Sequence, residues 1–211
     1  MILDSGNTAW IIVATLLVLL MTIPGIALFY GGLVRQKNVL SIIMQSLLIV
    51  GAVSILWVAF GYSFVFGSSL METDSVWRHF IGGFDKLFLQ GITTSSLTTG
   101  RIPELMFVLF QCMFAVITPA LILGAFAERV KFAGFLMFIV LWSILVYIPM
   151  AHWVWGGGFL QQMGAIDFAG GTVVHINAGI AALVMAILIG KLRDYKIGHP
   201  MAPHNITFVF M

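Results

Sequence analysis

The sequence predicts an all-α membrane protein of five transmembrane helices plus the start of a sixth. Composition is the first ground: 61% of the 211 residues are hydrophobic and 9% are charged, against roughly 25% charged residues in a soluble domain, and the mean hydropathy is +1.08. The second ground is patterning, because residues 5–34, 38–71, 105–127, 132–166 and 168–190 contain no Asp, Glu, Lys or Arg. Each run exceeds the roughly 20 residues that a helix rising 1.5 Å per residue needs to cross the hydrocarbon core.

Span one is expected from about Thr8 to Tyr30, with a bend at Pro24 and Gly25, where neighbouring helices can satisfy the freed backbone groups. It has no positively charged leader and is too long for a secretory signal, so it reads as a permanent span. Span two covers about Val39 to Phe66 and exceeds the bilayer, which suggests tilt. Residues 67–102 form the longest loop, a mixed stretch with Glu72, Asp74, Arg78, Asp85 and Lys86. Span three starts at Pro103, whose missing N–H suits a first helical turn, and runs to about Ala127. The short Glu128–Lys131 turn makes spans three and four antiparallel neighbours. Span four reaches from Phe132 to about Trp155 and stops at Gly156, Gly157 and Gly158; span five runs over 168–190.

The loops after spans one, three and five hold Arg35, Lys37, Arg129, Lys131, Lys191, Arg193 and Lys196, whereas the other side holds Arg78, Lys86 and Arg101. By the positive-inside rule the N-terminus is outside, in a multi-pass protein of the cell membrane. The last residues turn apolar at Ile206 and stop at Met211, so the chain is expected to end inside its sixth span. Five spans are an odd number, so a second copy of the unit would be inverted, the geometry of inverted-repeat transporters.

Several function classes drop out. A formal net charge of +2 with dispersed basic residues does not suit nucleic acid. The single cysteine, Cys112, sits in an apolar run and reads as a core residue. Scattered histidines without cysteine or carboxylate at ligand spacing make no metal site. His152 reads as structural, and His199 and His204 as solvated in a cytoplasmic loop. The glycine clusters lack the Lys-Ser/Thr of a phosphate loop. An intramembrane enzyme would need a nucleophile or paired carboxylates at depth, and the span cores carry no Asp or Glu.

The motifs resemble those of the ammonium transporter family (Amt/MEP/Rh). They are PGIALFYGGLVRQKN ending span one, FQCMFA in span three, GAFAERVKF after it, AHWVWGGG closing span four, DFAGGTVVHINAG opening span five, and PHN near the end. The resemblance runs from about residue 6 to the last residue, with the motifs in the family's order. It implies one half of an inverted-repeat ammonium transporter fold of eleven spans, assembled as a homotrimer with one pore per subunit. It further implies ammonium or ammonia as substrate, no cofactor, and a PII-type signal protein as partner at the cytoplasmic face. A Rh-like ammonia or carbon dioxide channel, an ammonium sensor and a non-conducting fragment are the alternatives.

Phe110 and Phe114 are four apart and share a helical face. From the residues alone such a pair is lipid-facing or packing material, and Trp155 an interfacial anchor; the resemblance makes all three the outer site that recruits and gates the cation. Aromatic faces suit that task, since cation–π attraction of roughly 0.5–2 kcal/mol holds a compact cation and still releases it. Asp167 reads as a helix cap, and the resemblance gives it structural support of the site without substrate contact. His175 lies eight residues on, roughly 12 Å deeper at helical rise. An ionisable group at that depth costs roughly 2.5 kcal/mol or more and normally faces protein or a water path. Gly171, Ala178, Gly179 and Ala182 flank it at helical spacing, so a neighbouring helix or a narrow path can come close. A satisfied interhelical hydrogen bond is the plainer role; the resemblance makes His175 one of two pore histidines that relay a proton, its companion lying in the other half. A neutral imidazole, with one donor and one acceptor nitrogen, can do this.

Overall fold

The structure, a computed structural model, describes residues 2–70, 75–192 and 202–210. Glu72, Asp74, Arg193, Lys196 and His199 lie outside the described residues. Five helices are long and apolar enough to cross a membrane: α1 Ser5–Leu33, α2 Gln36–Phe66, α3 Glu104–Phe126, α4 Phe132–Gln162 and α5 Gly171–Ile189. A short α6, Ile206–Phe210, packs on the end of α1.

The helices are not uniform. Four contain a wide π-type turn: Met21–Ile26, Trp57–Gly61, Ser143–Tyr147 and Gly171–Ile176. In α1 the cause is Pro24, which has no N–H to donate, and Ile23 just before it leaves helical geometry. In α4 the helix breaks at Gly156–Gly158, where Gly157 takes φ +89°, and resumes as the single turn Phe159–Gln162. Pro103 precedes α3 rather than opening it, and α5 starts at Gly171, three residues later than the apolar pattern suggested.

The bundle is organised around α3, the most enclosed of the five. It packs against α1, α2 and α5 through buried Val108, Cys112, Ala115, Val116, Ala120 and Leu123. Two cross-helix hydrogen bonds pin its neighbours. The Trp57 indole donates to the Val108 carbonyl at 3.1 Å, and the Tyr30 hydroxyl to the Leu121 carbonyl at 2.7 Å. Both use α3 carbonyls as second acceptors, which suits a medium with no competing water. Where Tyr30 crosses α3, a Cβ on Gly124 would stand 2.5 Å from its ring. Gly124→Ala is therefore expected to overpack the crossing by about 1–3 kcal/mol. A lower unfolding temperature in detergent, read by tryptophan fluorescence, is the check; an unchanged temperature would mean that Tyr30 moves freely.

The two ends of the bundle are held differently. At one, the Asp4 N–H donates to the Arg101 carbonyl at 2.9 Å, which brings the start of α1 to the 67–102 loop. In that loop, Asp85 accepts from the backbone N–H groups of Ser68 and Ser69, both at 2.9 Å. Lys86 pairs with Glu104 at 2.5 Å, and the Tyr62 hydroxyl donates to the same carboxylate at 3.0 Å. His152 is fully buried there, its ring nitrogens 2.8 Å from the Val65 carbonyl and 2.9 Å from that of Arg78. It ties α4 to α2 and to the loop, the structural role its position suggested.

The opposite end carries Arg35, Arg129, Lys131 and Lys191 around one cavity. Arg129 donates to the carbonyls of Gly190 at 2.8 Å and Ala125 at 2.7 Å, joining the end of α5 to the α3–α4 turn. His204 is exposed, as its position suggested, and its Nδ1 also lies 2.8 Å from the Val34 carbonyl. The reason is the docking of α6, whose preceding Asn205 donates its N–H to the Gly32 carbonyl at 3.3 Å and draws His204 onto the end of α1.

Candidate functional site

Side chains converge where the first half of α3, the end of α4 and the turn before α5 meet. The residues Phe107, Phe110, Gln111 and Phe114 fall on one ridge of α3 because they are spaced by three and four. Phe110 and Phe114 meet edge to face with ring centroids 4.9 Å apart, and Phe114 meets Trp155 of α4 in the same way at 5.9 Å. These rings, with Phe66, Asp167, Phe168 and Ala169, line a cavity of about 310 Å³. Phe110, Phe114 and Trp155 are each half-buried, with ring surface available to the cavity.

Asp167 reaches the same cavity from the turn before α5. Its carboxylate collects four backbone N–H groups. Oδ1 accepts from Gly170 at 2.7 Å and Gly171 at 2.9 Å, and Oδ2 from Thr172 at 2.8 Å and Val173 at 3.0 Å. Asp167 is thus a cap set three residues before the cap position, which Gly170 occupies with φ +81°. A left-handed residue lets the chain turn back so that one carboxylate meets the whole first turn. Burial raises the carboxyl, but the backbone donors outweigh it and hold Asp167 below the ordinary carboxylate value of 3.8. The backbone carbonyl of Asp167 accepts the Trp155 indole N–H at 2.9 Å. That bond had no signature in the sequence, since it joins a span end to a loop.

His175 is not in this cavity. It lies one turn into α5, and its N–H donates five residues back to the Gly170 carbonyl at 2.8 Å, within the wide turn that Asp167 caps. Its side chain is exposed among the described residues. The small-residue face anticipated around it divides. Gly171 and Gly179 share the open side with His175, and a Cβ on Gly179 would meet nothing within 4 Å. Ala178 instead is 2% exposed and packs into the core, with Ala182 against its edge. The physical reason is that the wide turn shifts the angular spacing between residues before and after it.

A larger cavity, about 670 Å³, lies at the opposite end, lined by Arg35, Glu128, Arg129, Lys131 and Lys191. Its walls are predominantly cationic, so it repels a small cation despite its size. The aromatic cavity has the chemistry that suits a monovalent cation: ring faces at its walls, and a carboxylate at its rim.

The profile described as Ammonium Transporter Family matches residues 9–211. An ammonium transporter of Bacillus subtilis is 48% identical over 212 residues, covering 99% of this chain and 49% of that protein. A putative ammonium transporter of Methanothermobacter thermautotrophicus is 47% identical over 208 residues, covering 99% of this chain and 49% of its own length. The crystal structure of Candida albicans Mep2 superposes with a TM-score of 0.83 at 34% identity, over 99% of this chain and 45% of that one. The chain spans about half the length of the curated relatives it matches.

Proposed function

Because this chain belongs to the ammonium transporter family, as a multi-pass membrane protein and not an enzyme, we propose that it serves in moving ammonium or ammonia across the cell membrane. The observation that carries the reading is the aromatic cavity. Phe110, Phe114 and Trp155 bring three ring faces to one space of about 310 Å³, where cation–π attraction recruits ammonium from the outer side. The nearby Asp167 carboxylate adds negative potential at the rim. Its lone pairs are already taken by four N–H groups, so it shapes the entrance rather than trapping the ion.

Beyond the cavity, His175 lies deeper on α5, on a side that the other described helices leave open. In the proposed path this is the face along which substrate passes after recruitment, with the imbalance between ammonium outside and ammonia inside met by proton transfer through the imidazole. The gathering of Arg35, Arg129, Lys131 and Lys191 at one end supports that end as cytoplasmic and the N-terminus as outside. Assembly as a homotrimer and docking of a PII-type protein at the cytoplasmic end belong to the same proposal. They rest on the family's pattern.

The test is reconstitution of the full-length protein in liposomes, with ammonium-evoked current and uptake measured together. His175→Ala is expected to change the ratio of protons to substrate carried, by at least twofold. An unchanged ratio at an unchanged rate would remove the relay role. Absence of any ammonium-evoked flux in the unaltered protein would remove the transport reading itself.

A further inference from the structure

The aromatic cavity contains one polar group that the proposed function leaves unused. Gln111 lines it between Phe110 and Phe114, is 8% exposed, and its side-chain oxygen has no hydrogen-bond partner among the described residues. A buried amide oxygen without a donor costs roughly 1–3 kcal/mol, and such groups in folded proteins are few. The neighbouring side chains in the cavity have no donor to offer it. Phe66, Phe107, Phe110, Phe114, Phe168 and Ala169 bear apolar side chains, and the Trp155 N–H is committed to the Asp167 carbonyl at 2.9 Å.

Ammonium has four N–H donors and no acceptor. Ring faces satisfy its charge but give little direction, so a recruited ion still needs an oxygen to replace lost water. The two side-chain acceptors in the cavity wall are Asp167 and Gln111. Both carboxylate oxygens of Asp167 accept two backbone N–H groups each, which fills the four acceptor sites of a carboxylate. Gln111 is the acceptor left. The last torsion of a glutamine is a broad, nearly two-fold rotor, so either end of the amide can turn to the cavity, and a cation selects the oxygen end.

We infer that Gln111 is a substrate ligand of the aromatic cavity: its side-chain carbonyl accepts a hydrogen bond from the recruited ammonium ion while Phe110, Phe114 and Trp155 hold the charge. The inference rests on the reading of the cavity as the recruitment site. A neutral acceptor suits weak, reversible capture, since a carboxylate at the same place would hold any cation more tightly.

The experiment measures the ammonium dependence of uptake by the full-length protein in liposomes, with Gln111→Leu, Gln111→Met, Gln111→Glu and Trp155→Leu compared. Gln111→Leu is expected to raise KM about tenfold, the loss of one hydrogen bond to a charged group, with kcat retained. Gln111→Glu, which keeps an acceptor, is expected to hold KM at or below the original value. Gln111→Met serves if the leucine variant elutes as aggregate from size exclusion, because it is unbranched and similar in length. Leucine and methionine variants within twofold of the original KM, alongside a raised KM for Trp155→Leu, would overturn the role of Gln111 and leave the cavity standing. Equal KM increases in the leucine, methionine and glutamate variants would also overturn it, showing that Gln111 fills space only. No change in any of the four would dismiss the cavity itself.

Discussion

Asp167→Ala is expected to reduce ammonium uptake by the full-length protein by about two powers of ten. The substitution strands four backbone N–H groups at the start of α5, those of Gly170, Gly171, Thr172 and Val173. Gly171 is exposed and water can replace its acceptor, but Gly170 and Val173 are buried, where each lost partner costs roughly 1–3 kcal/mol. A loss of about 3 kcal/mol is ample to unseat the turn. Two of the candidate site residues are tied to that turn. The residue-167 backbone carbonyl that accepts the Trp155 indole N–H is kept in alanine but shifts with the turn, and so does the Gly170 carbonyl to which the His175 N–H is bonded. Asp167→Asn keeps one oxygen and is expected to fall between. The carboxyl is held below its ordinary value of 3.8, so its contribution is complete above that value and is lost as pH falls through the lower folded one. Uptake by Asp167→Ala near the original rate would show that Trp155 and α5 hold their places without the cap.

The second large effect is on stability. Glu128 has a side chain only 4% exposed and accepts three hydrogen bonds: from the Arg35 N–H at 2.9 Å, Arg35 Nε at 3.0 Å and Asn38 Nδ2 at 2.6 Å. It thereby locks the α1–α2 corner to the α3–α4 turn, across 93 positions of sequence. Its backbone has φ +62°, a conformation a residue with a Cβ adopts at some cost, and the three bonds hold it there. Glu128→Ala is expected to destabilise the fold by about 3 kcal/mol, because the Arg35 and Asn38 donors lose a mostly buried acceptor. Burial raises the Glu128 carboxyl, and hydrogen bonds from Asn38 and Arg35 with the Arg35 charge more than offset it, holding it below 4.5. Its stabilisation is therefore complete above 4.5 and is lost as pH falls through the lower folded value. Thermal unfolding in detergent at pH 7 and in acid separates the cases: the original protein is expected to lose the Glu128 contribution on acidification, and Glu128→Gln to lose less. An identical pH response in the two would assign the acid sensitivity elsewhere.

Parts of the site were legible because their chemistry is local. The spacing of Phe110 and Phe114 announces a shared face, and an Asp just ahead of an apolar run announces a cap. The bond from Trp155 to Asp167 was not legible, because it depends on how a glycine break after α4 returns the chain to the cavity. Gln111 carries no signal in sequence either, sitting beside two phenylalanines in an apolar span; it becomes visible only once its neighbours are seen to have no donor to spare. The bond from the exposed His204 to the Val34 carbonyl was not legible either, because nothing in the residues around it reveals that α6 docks on the end of α1. The face of His175 was read on an ideal helix, and the wide turn over Gly171–Ile176 redistributed Gly171, Ala178 and Gly179 around it.

The sequence by itself determined five helices long and apolar enough to cross a membrane, and the family. Covering the hydrocarbon core demands a long uncharged run, and that demand is met segment by segment, where composition can be read directly. Only the tertiary structure decided that α3 is the centre of the bundle and that Trp155, Asp167 and Gln111 share one cavity. Those outcomes rest on contacts between residues from 12 to 91 positions apart, and they follow from helix packing and wide turns that no local pattern encodes.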